Sequence, residues 1–158
     1  MWRLVAVLAV ISAGCGGTGG GATNTPPSVI TPARNPVATW ESTAPADFDH
    51  LYDIVAKSGR AMISGARDIE KGQSAKATCE VLARELEDFA GRLVPIPRGV
   101  NLEAEQIAFI GELMDRARKG LRLCQTFDFL NGAKALTGAN ADQADAMSIR
   151  VRDALKRT

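Results

Sequence analysis

Residues 74–93, SAKATCEVLARELEDFAGRL, decide the fold class. Ala75, Cys79, Leu82, Leu86, Phe89 and Leu93 recur in alternating steps of four and three, the spacing of one face of an α-helix. Ser74 stands where an N-cap belongs, and Pro95 and Pro97, followed by Arg98-Gly99, end the segment in a turn. The same rhythm extends outward on both sides. After Asn101, a good N-cap, a helix carries Ile107, Ile110, Met114, Ala117, Leu121 and Cys124 inward. Upstream, Phe48, Leu51, Val55, Met62, Ala66 and Ile69 form one stripe that Gly72 closes. A last helix is expected over residues 141–156, with Ala144, Met147, Val151 and Ala154 or Leu155 inward.

No stretch alternates with period two for long enough to make a strand. Short links between amphipathic helices favour antiparallel neighbours, so the expected fold is all-α, an up-down antiparallel four-helix bundle. The alternative is a three-helix domain with a loosely docked C-terminal helix. Gly59, Gly65, Gly91, Gly111 and Gly120 fall inside these helices, each at a cost of about 1 kcal/mol. Close helix approach, bending or a cavity would account for them.

The chain has 158 residues, 46% hydrophobic and 5% aromatic, which fits one domain with appendages. Residues 47–158 carry the helical pattern, and 112 residues suffice for a single core. Charge is balanced, at 19 Lys+Arg against 18 Asp+Glu. A neutral domain has no net field to draw nucleic acid, so that class of partner is set aside.

The N-terminus supplies an address. Arg3 is followed by an unbroken apolar run from Leu4 to Ile11, then Ser12, Ala13, Gly14 and Cys15. One positive charge, a short apolar stretch and small residues make a secretory signal, and the run is too short to span a bilayer. Small residues directly before Cys15 resemble the lipobox of bacterial lipoproteins, although Ser12 stands where Leu is usual, with Ile11 one place further back. That resemblance implies cleavage after residue 14, lipidation of Cys15 and anchorage to a membrane in the cell envelope, outside the cytoplasm. The other reading is an ordinary signal cleaved near Ala13 or Gly14, with Cys15 incidental. Residues 15–46 then read as the lipidated cysteine and a Gly/Thr/Pro tether of about 30 Å average reach. Trp40 is expected to pack on the domain edge rather than form a site.

If Cys15 carries lipid, Cys79 and Cys124 remain as a pair. Both lie on inward seams, at the same end of an antiparallel hairpin, and export makes a disulfide plausible. Their register is imperfect about a turn between Leu93 and Leu102, and two buried free thiols are the alternative.

Constellations for chemistry are weak. His50 is the single histidine; Asp49, His50 and Asp53 supply too few converging ligands for a metal and suit an acidic helix start. Glu80, Glu85, Glu87 and Asp88 interleave with Arg84 and Arg92 as a solvated, ion-paired face. Ser58 and Ser64 have no matching His and Asp, and the Gly tract after Cys15 lacks the context of a phosphate loop. No cofactor is indicated, and a noncatalytic protein is expected.

Two surfaces remain. Arg150, Arg152, Lys156 and Arg157 form a basic cluster on the last helix that would face the tethered side and anionic headgroups, or simply complement the helix dipole. Residues 126–140, TFDFLNGAKALTGAN, form a connection at the opposite end. Phe127 is expected to extend the core stripe, with Phe129, Leu130 and Leu136 as an apolar tip for a partner or a lid folded back on the bundle. The first functional expectation is a noncatalytic envelope lipoprotein for protein contacts. The second is a module that binds a small apolar ligand or cofactor within the bundle. An exposed Phe129 patch over a filled core favours the first; an enclosed apolar cavity of roughly 300 Å³ or more favours the second.

Overall fold

A computed structural model describes residues 35–138 and 141–157. Five helices account for them: α1 (Pro36–Gly65), α2 (Ile69–Leu93), α3 (Ala104–Gln125), α4 (Phe129–Thr137) and α5 (Ala141–Leu155). They stand as an up-down bundle of four columns, the fourth made of α4 and α5 in series. Four contacts fix the directions. Trp40 Nε1 donates to the Leu93 carbonyl at 3.1 Å, so the start of α1 meets the end of α2. Gly120 and Gly132 touch where α3 and α4 cross, and Arg150 and Arg152 of α5 reach Glu103, the N-cap of α3, and Asp49 in the first half of α1. The chain therefore enters and leaves the bundle at the same end.

α2 and α3 keep their expected stripes, with Cys79, Leu86, Phe89, Ile110, Met114 and Leu121 all buried. Ile107 is the exception on α3; Phe109 and Leu113 face the core in its place. The cap is also displaced: Glu103, not Asn101, is the N-cap, in a reciprocal capping box with Gln106. On α5, Val151, Ala154 and Leu155 are buried as expected, while Ala144 and Met147 are half-buried.

α1 begins earlier than the sequence suggests, taking up residues 36–46 from the expected tether. Asn35 caps it by accepting from the Val37 amide at 3.1 Å, and Pro36 occupies the first turn, where its missing N–H costs nothing. Trp40 and Ala44 continue the buried stripe of Phe48, Leu51 and Ile54. Burial of the indole offsets the bond that Pro45 cannot donate inside the helix.

The α1–α2 turn also lies elsewhere. α1 stops at Gly65, and Asp68 caps α2 by accepting from the Glu70 amide at 3.0 Å. Ala66 is consequently exposed and Ile69 is 88% exposed, while Gly72 and Ser74 fall inside α2. The apolar spacing ran across a turn that a strong Asp cap decides.

The α3–α4 connection takes the second of its two expected forms, the fold-back onto the bundle, with Phe127 rather than Phe129 turned outward. The chain bends at Phe127, whose φ of 63° is the left-handed region, and this turns Phe127 outward and Phe129 inward. Phe129 is 8% exposed, its ring lying against Gly65 and Gly72. Leu136 is buried on Gly120, where an added Cβ would sit 2.7 Å from its side chain. The segment is thus a folded-back column, and of the expected apolar tip only Leu130 stays in solvent, at 68%.

Candidate functional site

Cys15 and the rest of the expected signal and tether up to Arg34 lie outside the described residues. Cys79 and Cys124 are joined as a disulfide, with Sγ atoms 2.08 Å and Cα atoms 6.2 Å apart. Cys79 lies fourteen residues before the end of α2 and Cys124 twenty residues after the start of α3. The six-residue difference is about 9 Å of helix. Residues 94–103 span it, packing Val94, Ile96, Val100 and Leu102 against the core.

The basic cluster divides in two. Arg150 bonds to Glu103 at 2.8 Å and also to Glu105. Arg152 donates to Asp49 at 2.7 Å and lies over the Tyr52 ring, 4.4 Å from its centroid. These two fasten α5 to α1 and α3. Lys156 and Arg157 have no carboxylate partner among the described residues, and they are exposed at the end where α1 begins. No described helix is long and apolar enough to cross a membrane.

His50 stacks on Phe89 with ring centroids 4.8 Å apart, and its Nε2 lies 3.7 Å from Glu85. Among the described residues, no group of three or more His, Cys, Asp or Glu is placed to hold a metal. Asp47, buried on α1, takes a two-pronged contact from Arg92 of α2, Nε at 3.2 Å and the terminal nitrogen at 2.8 Å. That pair ties two helices together; the charge pattern of α2 alone did not point across to Asp47.

A half-open cleft of about 340 Å³ lies between α1, α3 and the α4–α5 column. Val55, Ala56, Gly59 and Ile63 form its α1 wall, and Phe109 and Leu113 its α3 wall. Ala133 and Leu136 of α4 and Ala141 and Ala144 of α5 make the third side. The cleft exists for two reasons. The fourth column breaks at Gly138, whose φ of 65° suits glycine and whose missing side chain admits the Arg116 guanidinium. The residues facing the break are small: a Cβ added at Gly59 would find its nearest neighbour, Leu136, 3.9 Å away.

Polar groups stand at the cleft's edges. At one end the Tyr52 hydroxyl donates to Asp145 at 2.6 Å. The Asp145 carboxylate holds that proton in place and, with burial, pushes the Tyr52 phenol above its ordinary value. At the other end are Arg60 and Arg116, the latter paired with Glu112. Another depression, beside α2, is more open and lined by Glu80, Arg84, Glu87 and Asp88, so it has no comparable apolar wall.

Sequence reasoning singled out none of the cleft residues as a site except Leu136, which it left between an exposed tip and a folded-back lid. The available signal was the run of small residues, Ala56 with Gly59 and Ala141 with Ala144, on faces where a filled core would carry larger side chains. Compared with protein families, curated proteins and solved structures, the chain matches none.

Proposed function

We propose that the protein is an extracytoplasmic lipoprotein, anchored through Cys15, whose helical bundle binds a small apolar ligand in the cleft between α1, α3 and the α4–α5 column. The observation that carries this reading is the cleft itself: about 340 Å³, walled by Val55, Ile63, Phe109, Leu113 and Leu136 and reached from solvent. Ligand sites are concave and mostly apolar with few polar groups, and this volume lies at the lower end of their range of about 300–1,000 Å³. Burial of Phe129 and Leu136 supports the same choice, because it removes most of the apolar tip on which the protein-contact reading rested. That second reading keeps one support, the exposed Ile69, Phe127 and Leu130. The lipid anchor rests on the signal-like residues 1–15 alone.

Titration with 1-decanol, a neutral single-chain probe, tests the reading. The full chain carrying Cys15→Ser lacks the lipid attachment site and keeps every described residue. Saturable shifts confined to the methyl resonances of Val55, Ala56, Ile63 and Leu136 are expected. Shifts centred on Ile69 and Leu130, or none up to the solubility of the probe, would overturn it.

A further inference from the structure

Building on the ligand-binding reading, we infer that the cleft takes a single-chain amphiphile with an anionic head, an alkyl carboxylate, with the chain along α1 and the carboxylate at Arg60. Shape argues for the chain. The α1 residues of the cleft run from Tyr52 to Ile63, eleven steps of about 1.5 Å or roughly 16 Å of helix. About 340 Å³ drawn out along that length makes an elongated apolar slot, the shape of an extended alkyl chain.

Charge argues for the head. Among the described residues, three charged side chains border the cleft, and two are already engaged. Asp145 accepts from the Tyr52 hydroxyl, and Arg116 is paired with Glu112. Arg60 alone of the three has neither an ion pair nor a hydrogen bond among the described residues. Its neighbour on the same helix, Lys57, is another cation and is itself paired with Asp53 at 2.6 Å. An unneutralised guanidinium at the mouth of an apolar slot suits a carboxylate, which it can hold with two parallel hydrogen bonds. At the opposite end, closed by the Tyr52–Asp145 bond, the nearby cation, Arg152 over the Tyr52 ring, is already paired with Asp49, so the chain has one polarity: head at Arg60, tail toward Phe109 and Ala144.

The test compares three ten-carbon probes on the full chain carrying Cys15→Ser, by calorimetry at neutral pH and below micelle formation. They are decanoate, 1-decanol and decyltrimethylammonium. Decanoate is expected to bind about three- to fivefold more tightly than decanol, the scale of one solvent-exposed charge pair. Decyltrimethylammonium should bind most weakly, and Arg60→Gln should bring decanoate down to decanol. Gly59→Leu and Ala144→Leu, which fill the slot from opposite walls, should each abolish binding of all three with the helical circular-dichroism signal retained. If decanol and decanoate bind alike, or Arg60→Gln leaves the preference intact, the head-group assignment falls while the apolar site stands. If none of the probes binds, or neither filling variant weakens them, the apolar site falls as well.

Discussion

Replacing both bridging cysteines, as C79A/C124A, is expected to lower the stability of the bundle by about 4 kcal/mol. The bridge joins positions 45 residues apart, and in the chain-entropy account a closed loop of that length removes about this much freedom from the unfolded chain. For a domain of this size the loss corresponds to roughly 15 °C in Tm. Both cysteines are fully buried, so the bridge cannot be reached by reductant until α2 and α3 separate. Chemical denaturation of the oxidised chain and the double variant measures the difference. An unchanged midpoint would mean that the bridge adds no stability to the bundle. Of the fold's covalent features this has the largest expected effect, because the other links between α2 and α3 are apolar packing and the Glu87–Arg118 pair, whose side chains are both more than a third exposed.

The second large effect is Phe129→Ala, expected to cost about 3–5 kcal/mol, as large-to-small changes at buried aromatics do. Its ring fills the space left by Gly65 and Gly72, where an added Cβ would lie 3.3 Å from ring carbons. Small residues on α1 and α2 were in effect shaped around a side chain of α4. Leu130→Ala, one residue along and 68% exposed, is expected to change stability by no more than about 0.5 kcal/mol. Paired urea titrations of the two variants decide the matter. The reverse order, Leu130 costly and Phe129 nearly neutral, would place α4 the other way round.

That contrast also shows what the sequence could and could not reveal. Residues 74–93 carried enough period to give α2, its neighbours and the all-helical class, and the seam positions of Cys79 and Cys124 brought the thiols to the same end. Helical arithmetic failed at Phe127 because it assumed that α3 continues. The chain instead takes a left-handed backbone at an aromatic residue, a conformation that residue type argues against. A later cue was present: Phe129, Gly132 and Leu136, at steps of three and four, are the buried face of α4. The start of α1 was hidden by composition. Four prolines lie between residues 26 and 36, and Pro45 follows, yet Asn35-Pro36 is itself a helix start and Trp40 with Ala44 its first inward turn.

The cleft was the least legible feature, since it is an absence of side chains produced by two separate segments. Gly59 and Ala56 look like tolerated small residues until the break at Gly138 sets them opposite Ala141 and Ala144. The glycines singled out in the helices divide accordingly. Gly65 and Gly120 permit close approach, Gly59 lines the cleft, and an added Cβ at Gly91 or Gly111 would meet open space.

The most direct test of the central claim is native mass spectrometry of the full-length protein taken from the membrane fraction of a bacterial host in detergent-free lipid discs. The account predicts a chain beginning at Cys15 with a diacylglycerol-sized addition, carrying one small single-chain carboxylate that leaves on denaturation and is missing from Gly59→Leu. A chain that carries nothing, or a bound molecule that Gly59→Leu fails to displace, would contradict it.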